Sequence, residues 1–148
     1  MSINFRVKRF EEIEALELYK ILRLRAEVFV VEQDCVYQDI DNKDQKALHV
    51  IGYKNDQIVA YTRLFKGGDY FENASIGRVV VSQKERQFGY GHDLIRVSIE
   101  AIEKHFKTTE IKISAQTYLK KFYESHGFSQ IGEEYLEDGI PHIAMVRR

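Results

Sequence analysis

Apolar and polar residues alternate with a period of two from Ile3 to Lys8, a pattern typical of a half-buried strand. From Glu11 to about Val31, apolar residues recur at near-helical spacing among good helix formers, which predicts one long helix. The segment from Glu32 to Lys46 has no clean period and is rich in Asp, Asn and Gln. We therefore expect a long irregular loop there, of a length that is commonly functional or mobile.

The middle of the chain has strand patterns. Ala47 to Tyr53 and Ile58 to Phe65 are rich in Val, Ile, Tyr and Thr and flank a turn at Asn55 and Asp56, which predicts a hairpin. The stretch from Ala74 to Val81 ends in three valines, as expected of a central strand buried on both faces.

The last third of the chain predicts two helices and three strands. A helix that opens at Gly89 presents a core-facing stripe of Ile95, Ile99, Ile102 and Phe106. The remaining elements are a strand at Glu110 to Ala115, a helix at Tyr118 to His126, and short strands at Phe128 to Gly132 and Ile140 to Val146. The order predicts an α/β (α+β) fold, in which one mixed sheet of about seven strands carries helices on both faces.

Composition narrows the class of protein. With 148 residues, 44% of them hydrophobic and 30% charged, the chain is expected to form one globular domain over residues 1–148. Its net charge of −1 provides no general attraction to nucleic acid or anionic membranes, so we expect neither as a partner. There is no apolar run of about 20 residues and no signal-peptide pattern, and the single Cys35 suits a reducing compartment. The expected location is the cytoplasm.

The most informative segment runs from the three valines, Val79 to Val81, through Arg86 to Gly89 and Gly91. A buried strand, a polar turn, a Gly-x-Gly and a helix start follow one another. Free N–H groups at a helix start and the helix dipole favour an anion, and glycines allow the backbone to approach a phosphate. Arg86 adds a charged donor. The alternative is that both glycines serve only a tight turn.

The known phosphate motifs can be compared with this segment. A P-loop needs Gly-x4-Gly-Lys-Ser/Thr, which is absent, and a dinucleotide fingerprint needs a third glycine where Leu94 stands. The string Arg-x-x-Gly-x-Gly, Arg86 to Gly91, resembles the pyrophosphate loop of GNAT-type N-acetyltransferases. Phe122 to Phe128 resembles the final-helix motif of that family. Arg25 to Gln33 and Glu137 to His142, together with Cys35, Tyr37, Asp39, Asp41 and His49, resemble its ElaA-like branch.

The resemblance implies an acetyl-CoA site. It places the pantetheine arm on the strand that ends in the valines and the pyrophosphate on the loop and helix start, and Gln116 stands where the family often has Asn. The cofactor-binding residues expected from it are Val79, Val80, Val81, Arg86, Gln87, Phe88, Gly89, Tyr90, Gly91, His92, Gln116 and Tyr123.

Tyr123 matches the family tyrosine that protonates the departing thiolate. The reference pKa values of tyrosine and an alkyl thiol, about 10 and about 8.5, suit such a proton transfer. Helix periodicity alone would equally place this tyrosine in the core beside Phe122.

The acceptor amine must lose a proton before it attacks, because a lysine-like amine has a pKa of about 10.4. Proton acceptors considered are Glu32, Asp39, Asp41, His49 and His142, with Glu32 preferred because it closes the first helix where an acceptor cleft would open. Each of the acids could instead be a solvated turn residue. The expected acceptor-binding residues are Glu32, Gln33, Asp39, His49, Arg63 and His142.

No sequence pattern indicates a metal site or a covalent nucleophile. The five histidines are too widely spaced for a His-x3-His pair, and Cys35 has no Cys-x2-Cys partner, so no metal is expected. Ser98 and Ser125 lack a nucleophile elbow. Arg25, Arg63 and Arg78 are expected to pair with nearby acids, although Arg63 could instead grip an acceptor carboxylate.

The resulting prediction is an N-acetyltransferase that moves an acetyl group from acetyl-CoA to a primary amine of a small molecule or peptide. A backbone N–H of the Val80 to Val81 edge would stabilise the oxyanion. One alternative is an acyl-homoserine lactone synthase, because Arg25 to Phe29 and Asp39 to Asp44 loosely resemble that class. The other is a sensor module that binds acyl-CoA without turnover. A homodimer is expected only by analogy with the family.

Overall fold

One seven-stranded sheet carries the fold of residues 2–148, the residues that this computed structural model describes. The strand order is β1-β2-β3-β4-β5-β7-β6, and all neighbouring strands are antiparallel except β4 and β5. The predicted mixed sheet is therefore confirmed. The strands are β1 Asn4–Arg9, β2 Leu48–Lys54, β3 Gln57–Phe65, β4 Ala74–Val81, β5 Ile111–Gln116, β6 Phe128–Glu137 and β7 Ile140–Arg147.

Helices cover both faces of this sheet, as predicted. Helix α1, Ala15–Ala26, packs Ile21 and Leu24 against one face. Helix α2, Tyr90–Phe106, and the short α3, Lys120–Glu124, pack against the other face. The apolar stripe of α2 buries Ile95 and Ile102 completely, and burial of such side chains contributes about 1.5–3 kcal/mol each.

The first helix differs from the prediction of one helix over Glu11 to Val31. A 3-10 turn, Phe10–Glu12, precedes α1, and the chain becomes π-helical at Glu27–Glu32. Three valines and Phe29 lie in this last segment, and such residues lose side-chain freedom in an α-helix. This segment ends with Glu32 next to Arg86, which follows β4.

The end of the chain also differs from the prediction. Strand β6 continues to Glu137 instead of ending at Gly132, because a bulge between Ile131 and Tyr135 absorbs the turn-forming glycine. The predicted helix at Tyr118 to His126 is instead a 3-10 turn, Thr117–Leu119, followed by α3. The β6–β7 hairpin is consequently longer than expected.

Strands β4 and β5 separate soon after they meet. Their residue pairs are Ala74 with Ile111 and Ser75 with Lys112, and beyond these the strands diverge. Strand β4 is also irregular, because its register with β3 shifts and Arg78 adopts a φ of 49°. The sheet therefore has an internal gap, which positions the site.

Six buried or partly buried charged side chains link the long loop to the sheet. Three arginines, one each from α1, β3 and β4, pair with three aspartates of the 39–44 segment at N–O distances of 2.6–3.4 Å. Since the charges are equal in number, the cluster is balanced. Its members are Arg25, Arg63, Arg78, Asp39, Asp41 and Asp44.

The arginines also change the acidity of this cluster. Burial alone would raise the pKa of Asp41, but hydrogen bonds and charge from Arg63 lower it to about 2. Because the folded protein favours the ionised carboxylate more than the unfolded chain does, this contribution to stability is present above about pH 4. It is lost as the pH falls towards 2.

Within residues 2–148, no helix combines the length and the apolar character needed to cross a membrane.

Replacement of Arg25 by methionine is expected to lower the free energy of unfolding by about 3–5 kcal/mol, because Asp39 and Asp44 would lose a buried partner. Urea denaturation followed by circular dichroism measures this. The matched control is Arg23→Met in the same helix, whose side chain is 70% exposed and 3.9 Å from Glu27, with an expected cost of about 0–1 kcal/mol. Equal losses in the two variants would contradict a structural role for the cluster.

Candidate active site

A cleft of about 560 Å³ passes through the gap between β4 and β5. Its walls are the two separated strands, the π-helical turn, the start of α2, and α3. The sequence-predicted residues that line it are Glu32, Gln33, Arg63, Val79, Val80, Val81, Arg86, Gly89, Gly91, His92, Gln116, Tyr123 and His142.

The phosphate-type loop lies at one end of this cleft. Gly89 has a φ of 73°, a left-handed conformation that favours glycine, and α2 begins directly after it. No side chain caps the start of α2, where the His92 N–H donates to the Gly89 carbonyl at 3.1 Å and the helix dipole favours an anion. Gly91 faces the ring of Phe122, which a Cβ at this position would meet at 3.5 Å.

Arg86 forms a two-point ion pair with Glu32 across the cleft. Its Nη1 and Nη2 donate to the two carboxylate oxygens at 2.6 and 2.8 Å, and its Nε donates to the Val81 carbonyl at 3.1 Å. The hydrogen bonds from Arg86 lower the pKa of Glu32. In this arrangement the carboxylate of Glu32 is a weaker base than we expected from the sequence. The guanidinium of Arg86 binds this carboxylate.

Two histidines meet beside the loop. The Nδ1 of His92 lies 2.9 Å from the Nε2 of His126, and both rings contact Phe122. Burial lowers the pKa of His126, and the neighbouring His92 acts in the same direction. His92 therefore lines the loop end of the cleft, beside a second histidine to which the sequence assigned no site role.

Tyr123 lies on the same side of the sheet as α2. It is 5% exposed, its ring packs edge-on against Phe122 and Phe128, and it belongs to the core cluster that includes Ile113 and Ala115. Burial raises its pKa. Tyr123 therefore packs in the core, as helix periodicity indicated, and also lines the cleft.

The opposite side of the cleft is polar. Gln33 and Gln116 exchange side-chain hydrogen bonds at 3.2 and 3.3 Å. Directly across from Gln116 on β7 lies His142, whose Nδ1 is 2.7 Å from the Ile140 carbonyl oxygen and whose Nε2 is 3.4 Å from a Glu137 carboxylate oxygen. Gln116 thus joins the π-helical turn to the centre of the sheet.

Asp39 and His49, both predicted to bind the acceptor, do not line the cleft. Asp39 accepts hydrogen bonds from Arg25, Arg78 and Tyr37. His49 is completely buried between the Tyr61 hydroxyl and the Asp44 carbonyl, and this burial lowers its pKa. The structure therefore places both residues in the buried charge cluster and its surroundings.

Arg63 reaches the cleft wall, but its guanidinium binds Asp41 and Asp44. Its Nε is buried without a hydrogen-bond partner and lies above Gly77. The expectation that Arg63 pairs with nearby acids agrees with this geometry.

Three residues of the predicted loop contacts have side chains outside the cleft lining. Gln87 is exposed, Phe88 packs under the Lys54 ammonium at 4.1 Å, and Tyr90 is buried next to Phe88. None of these three residues lines the cleft.

Sequence reasoning did not assign a site role to several lining residues, among them Ser114, Glu137 and Asp138. Glu137 and Asp138 were missed because the hairpin was predicted to be too short. Ser114 was assigned only to a strand, and its period-two position opposite the core side was the available signal.

Among residues 2–148, no group of three or more His, Cys, Asp or Glu side chains is arranged to hold a metal ion.

The comparisons with known proteins bear directly on this cleft. A model of the family described as "Acetyltransferase (GNAT) domain" matches residues 12–148. The chain belongs to the GNAT acetyltransferase family. Members of this family are acyltransferases that use acyl-CoA.

Relatives agree with this GNAT assignment. The protein ElaA of Escherichia coli is 44% identical over 138 residues, which cover 92% of this chain and 90% of ElaA. Its crystal structure superposes with a TM-score of 0.93 at 41% identity, and the match covers 99% of this chain and 100% of ElaA. An acyl-CoA N-acyltransferase from Pseudomonas aeruginosa also has a TM-score of 0.93, at 40% identity, with coverage of 99% of this chain and 100% of that one.

Proteins of much lower sequence identity share only the fold. The acyl-homoserine lactone synthase LasI has a TM-score of 0.76 at 14% identity, and the match covers 98% of this chain and 89% of LasI. At this identity the likeness concerns the architecture of the GNAT sheet and no residue role.

Replacement of Gly89 by alanine is expected to lower the free energy of unfolding by about 1 kcal/mol, because a left-handed conformation is strained for alanine. An added Cβ would meet nothing within 4 Å, so conformation alone is tested. The control is Gly91→Ala inside the helix, where we expect no loss or a gain of about 0.5 kcal/mol in urea denaturation. A loss in Gly91→Ala larger than that in Gly89→Ala would contradict this account of the turn.

Proposed function

We propose that this GNAT protein transfers an acetyl group from acetyl-CoA to a primary amine of a small molecule or peptide by direct attack. The observation that carries the proposal is the separation of β4 from β5. Beyond Ser75, β4 is paired with β3 on one side only, so backbone groups on its other edge face the cleft. An extended chain that contains amides, as pantetheine does, can bind such an edge as an additional strand would.

We place the pyrophosphate of acetyl-CoA at the loop end of the cleft. The start of α2 carries the positive end of the helix dipole, and Gly89 and Gly91 leave it free of side chains of their own. Arg86 and His92 line the same end. Anionic phosphates would compete with Glu32 for Arg86, and a guanidinium binds either group by two parallel hydrogen bonds.

Tyr123 is the residue we assign to protonation of the leaving thiolate. Burial raises its pKa, so the hydroxyl is a weaker acid than that of a free tyrosine and gives up its proton only as negative charge develops on the sulfur. It lines the cleft on the face of the sheet that carries α2 and α3. Direct transfer to an amine needs no acyl-enzyme, and the proposal assigns no nucleophile to the protein.

Calorimetric titration with acetyl-CoA, followed by free-thiol release across a panel of amines, amino acids and peptides, tests the proposal. We expect binding and amine-dependent thiol release. Binding without release on any amine would instead support a sensor module, and release only with long-chain acyl donors and S-adenosylmethionine would support a synthase of the LasI type. Absence of binding would reject the assignment of the cleft.

Tyr123→Phe is expected to lower kcat by about 10²-fold or more while leaving the affinity for acetyl-CoA unchanged, because only the acidic hydroxyl is removed. Thiol release and calorimetry measure the two quantities. Tyr19→Phe on α1, where the side chain is 70% exposed, is the matched control with unchanged kcat. Equal turnover in the two variants would reject the role of Tyr123 as an acid.

A further inference from the structure

We propose that His142, rather than Glu32, is the group that accepts a proton from the amine, with Glu137 holding the ammonium and then the imidazolium. The inference rests on the proposed amine acetylation and deepens it. It follows from three features of His142: the face of the sheet on which it lies, the tautomer that its contacts require, and the state of the competing bases.

The face of the sheet follows from the register of β5 and β7. Along β5, Ile113 and Ala115 belong to the core under α2, so Ser114 and Gln116 point to the opposite face. His142 lies directly across from Gln116 and therefore shares its face. Tyr123 lies on the core face, yet both side chains line the cleft. An acid on one side of the gap and a base on the other suit a reaction in which donor and acceptor meet from opposite sides.

The tautomer follows from a single contact. The Nδ1 of His142 lies 2.7 Å from the Ile140 carbonyl oxygen, which can only accept a hydrogen bond, so Nδ1 carries a proton. The neutral ring therefore has its lone pair at Nε2. That atom lies 3.4 Å from a Glu137 carboxylate oxygen, an acceptor, so Nε2 becomes a donor to Glu137 once His142 has taken up a proton. An ammonium group bound here can donate one N–H to the Nε2 lone pair and another to the carboxylate of Glu137.

Glu137 is held for this role by its own contacts. The hydroxyl of Ser114 donates to its Oε1 at 3.0 Å, and Ser114 in turn lies 2.5 Å from the Tyr135 hydroxyl. The ring of Tyr135 also stacks on His142 with 6.2 Å between centroids. The groups that face His142 are therefore Glu137 and Tyr135 from β6 and Gln116 from β5.

The other bases considered from the sequence are occupied. In the structure both oxygens of Glu32 bind Arg86, which lowers the pKa of that carboxylate, and Glu32 becomes a competing base only where a bound pyrophosphate takes Arg86 from it. Asp41 binds Arg63 through both oxygens and has a pKa of about 2. Asp39 and His49 do not line the cleft. Glu137 remains as a competitor, but its Oε1 already accepts a hydrogen bond from Ser114, and its Oε2 faces His142.

The proton and bond changes balance. His142 takes one proton from the ammonium group, the nitrogen attacks the thioester carbon, and the C–S bond breaks as sulfur receives the proton of Tyr123. The second nitrogen proton passes to water as the amide forms. Exchange with water returns Tyr123 and His142 to their starting states, with one proton released per turnover.

The first arm of the test needs no acceptor. Nitrogen-proton correlation spectra of protein labelled with ¹⁵N-histidine, compared with those of His142→Gln, identify the His142 signal. We expect at pH 8 a ring protonated at Nδ1 and unprotonated at Nε2. A ring protonated at Nε2 would overturn the proposal.

The second arm uses the amine that gives the fastest thiol release in the panel. His142→Gln is expected to lower kcat by about 10²-fold or more, with the affinity for acetyl-CoA unchanged, and to remove the rise of kcat with pH. Glu137→Gln is expected to raise KM for the amine more than it lowers kcat. His105→Gln, an exposed site on α2, is the control with wild-type kinetics.

The outcomes separate the two proposals. If the wild type releases no thiol with any amine, the proposed function fails and this inference fails with it. If the wild type is active and His142→Gln retains kcat within about threefold with the same pH profile, only the role of His142 is overturned. Loss of the pH dependence in Glu137→Gln, with retention in His142→Gln, would assign the base to Glu137.

Discussion

The buried cluster of three arginines and three aspartates holds the rest of the site in place. Each aspartate comes from the segment 39–44, which has little regular structure of its own, and each arginine comes from a different element of the core. The path of the loop is therefore set by charge pairing. Because one unpaired member would be very unfavourable in the interior, the cluster favours a single arrangement more than it adds stability. That arrangement brings Cys35 and Tyr37 to the cleft wall.

The gap in the sheet gives the two sides of the cleft different chemistry. The side toward α2 and α3 is apolar and aromatic, with Tyr123 among Phe122 and Phe128. The side toward α1 is polar, with hydrogen-bonded glutamines and the pair of His142 and Glu137. Period-two alternation along β5 and β7 produces this difference, since successive residues face opposite sides.

Local patterns predicted most of the fold and the loop end of the site. Alternation and the valine run located the strands, and the Gly-x-Gly located the turn into α2 at the end of the cleft, because these depend on neighbours in the chain. The partner of Arg86 could not be predicted, since Glu32 is 54 residues away and reaches it only through a π-helical turn. The β6 extension was missed because Glu133 and Glu134 are exposed on an edge strand, where apolar alternation is not required.

The separation of β4 and β5 also has a mechanical meaning. Two residue pairs join the four strands β1 to β4 to the three strands β5, β7 and β6, and beyond Ser75 and Lys112 strand pairing does not hold the two groups together. The helices and the core cluster that packs over both groups of strands then set the width of the opening. An extended ligand that hydrogen-bonds to the free edge of β4 would replace part of the missing strand pairing. The ligand would then act as a structural element of the sheet.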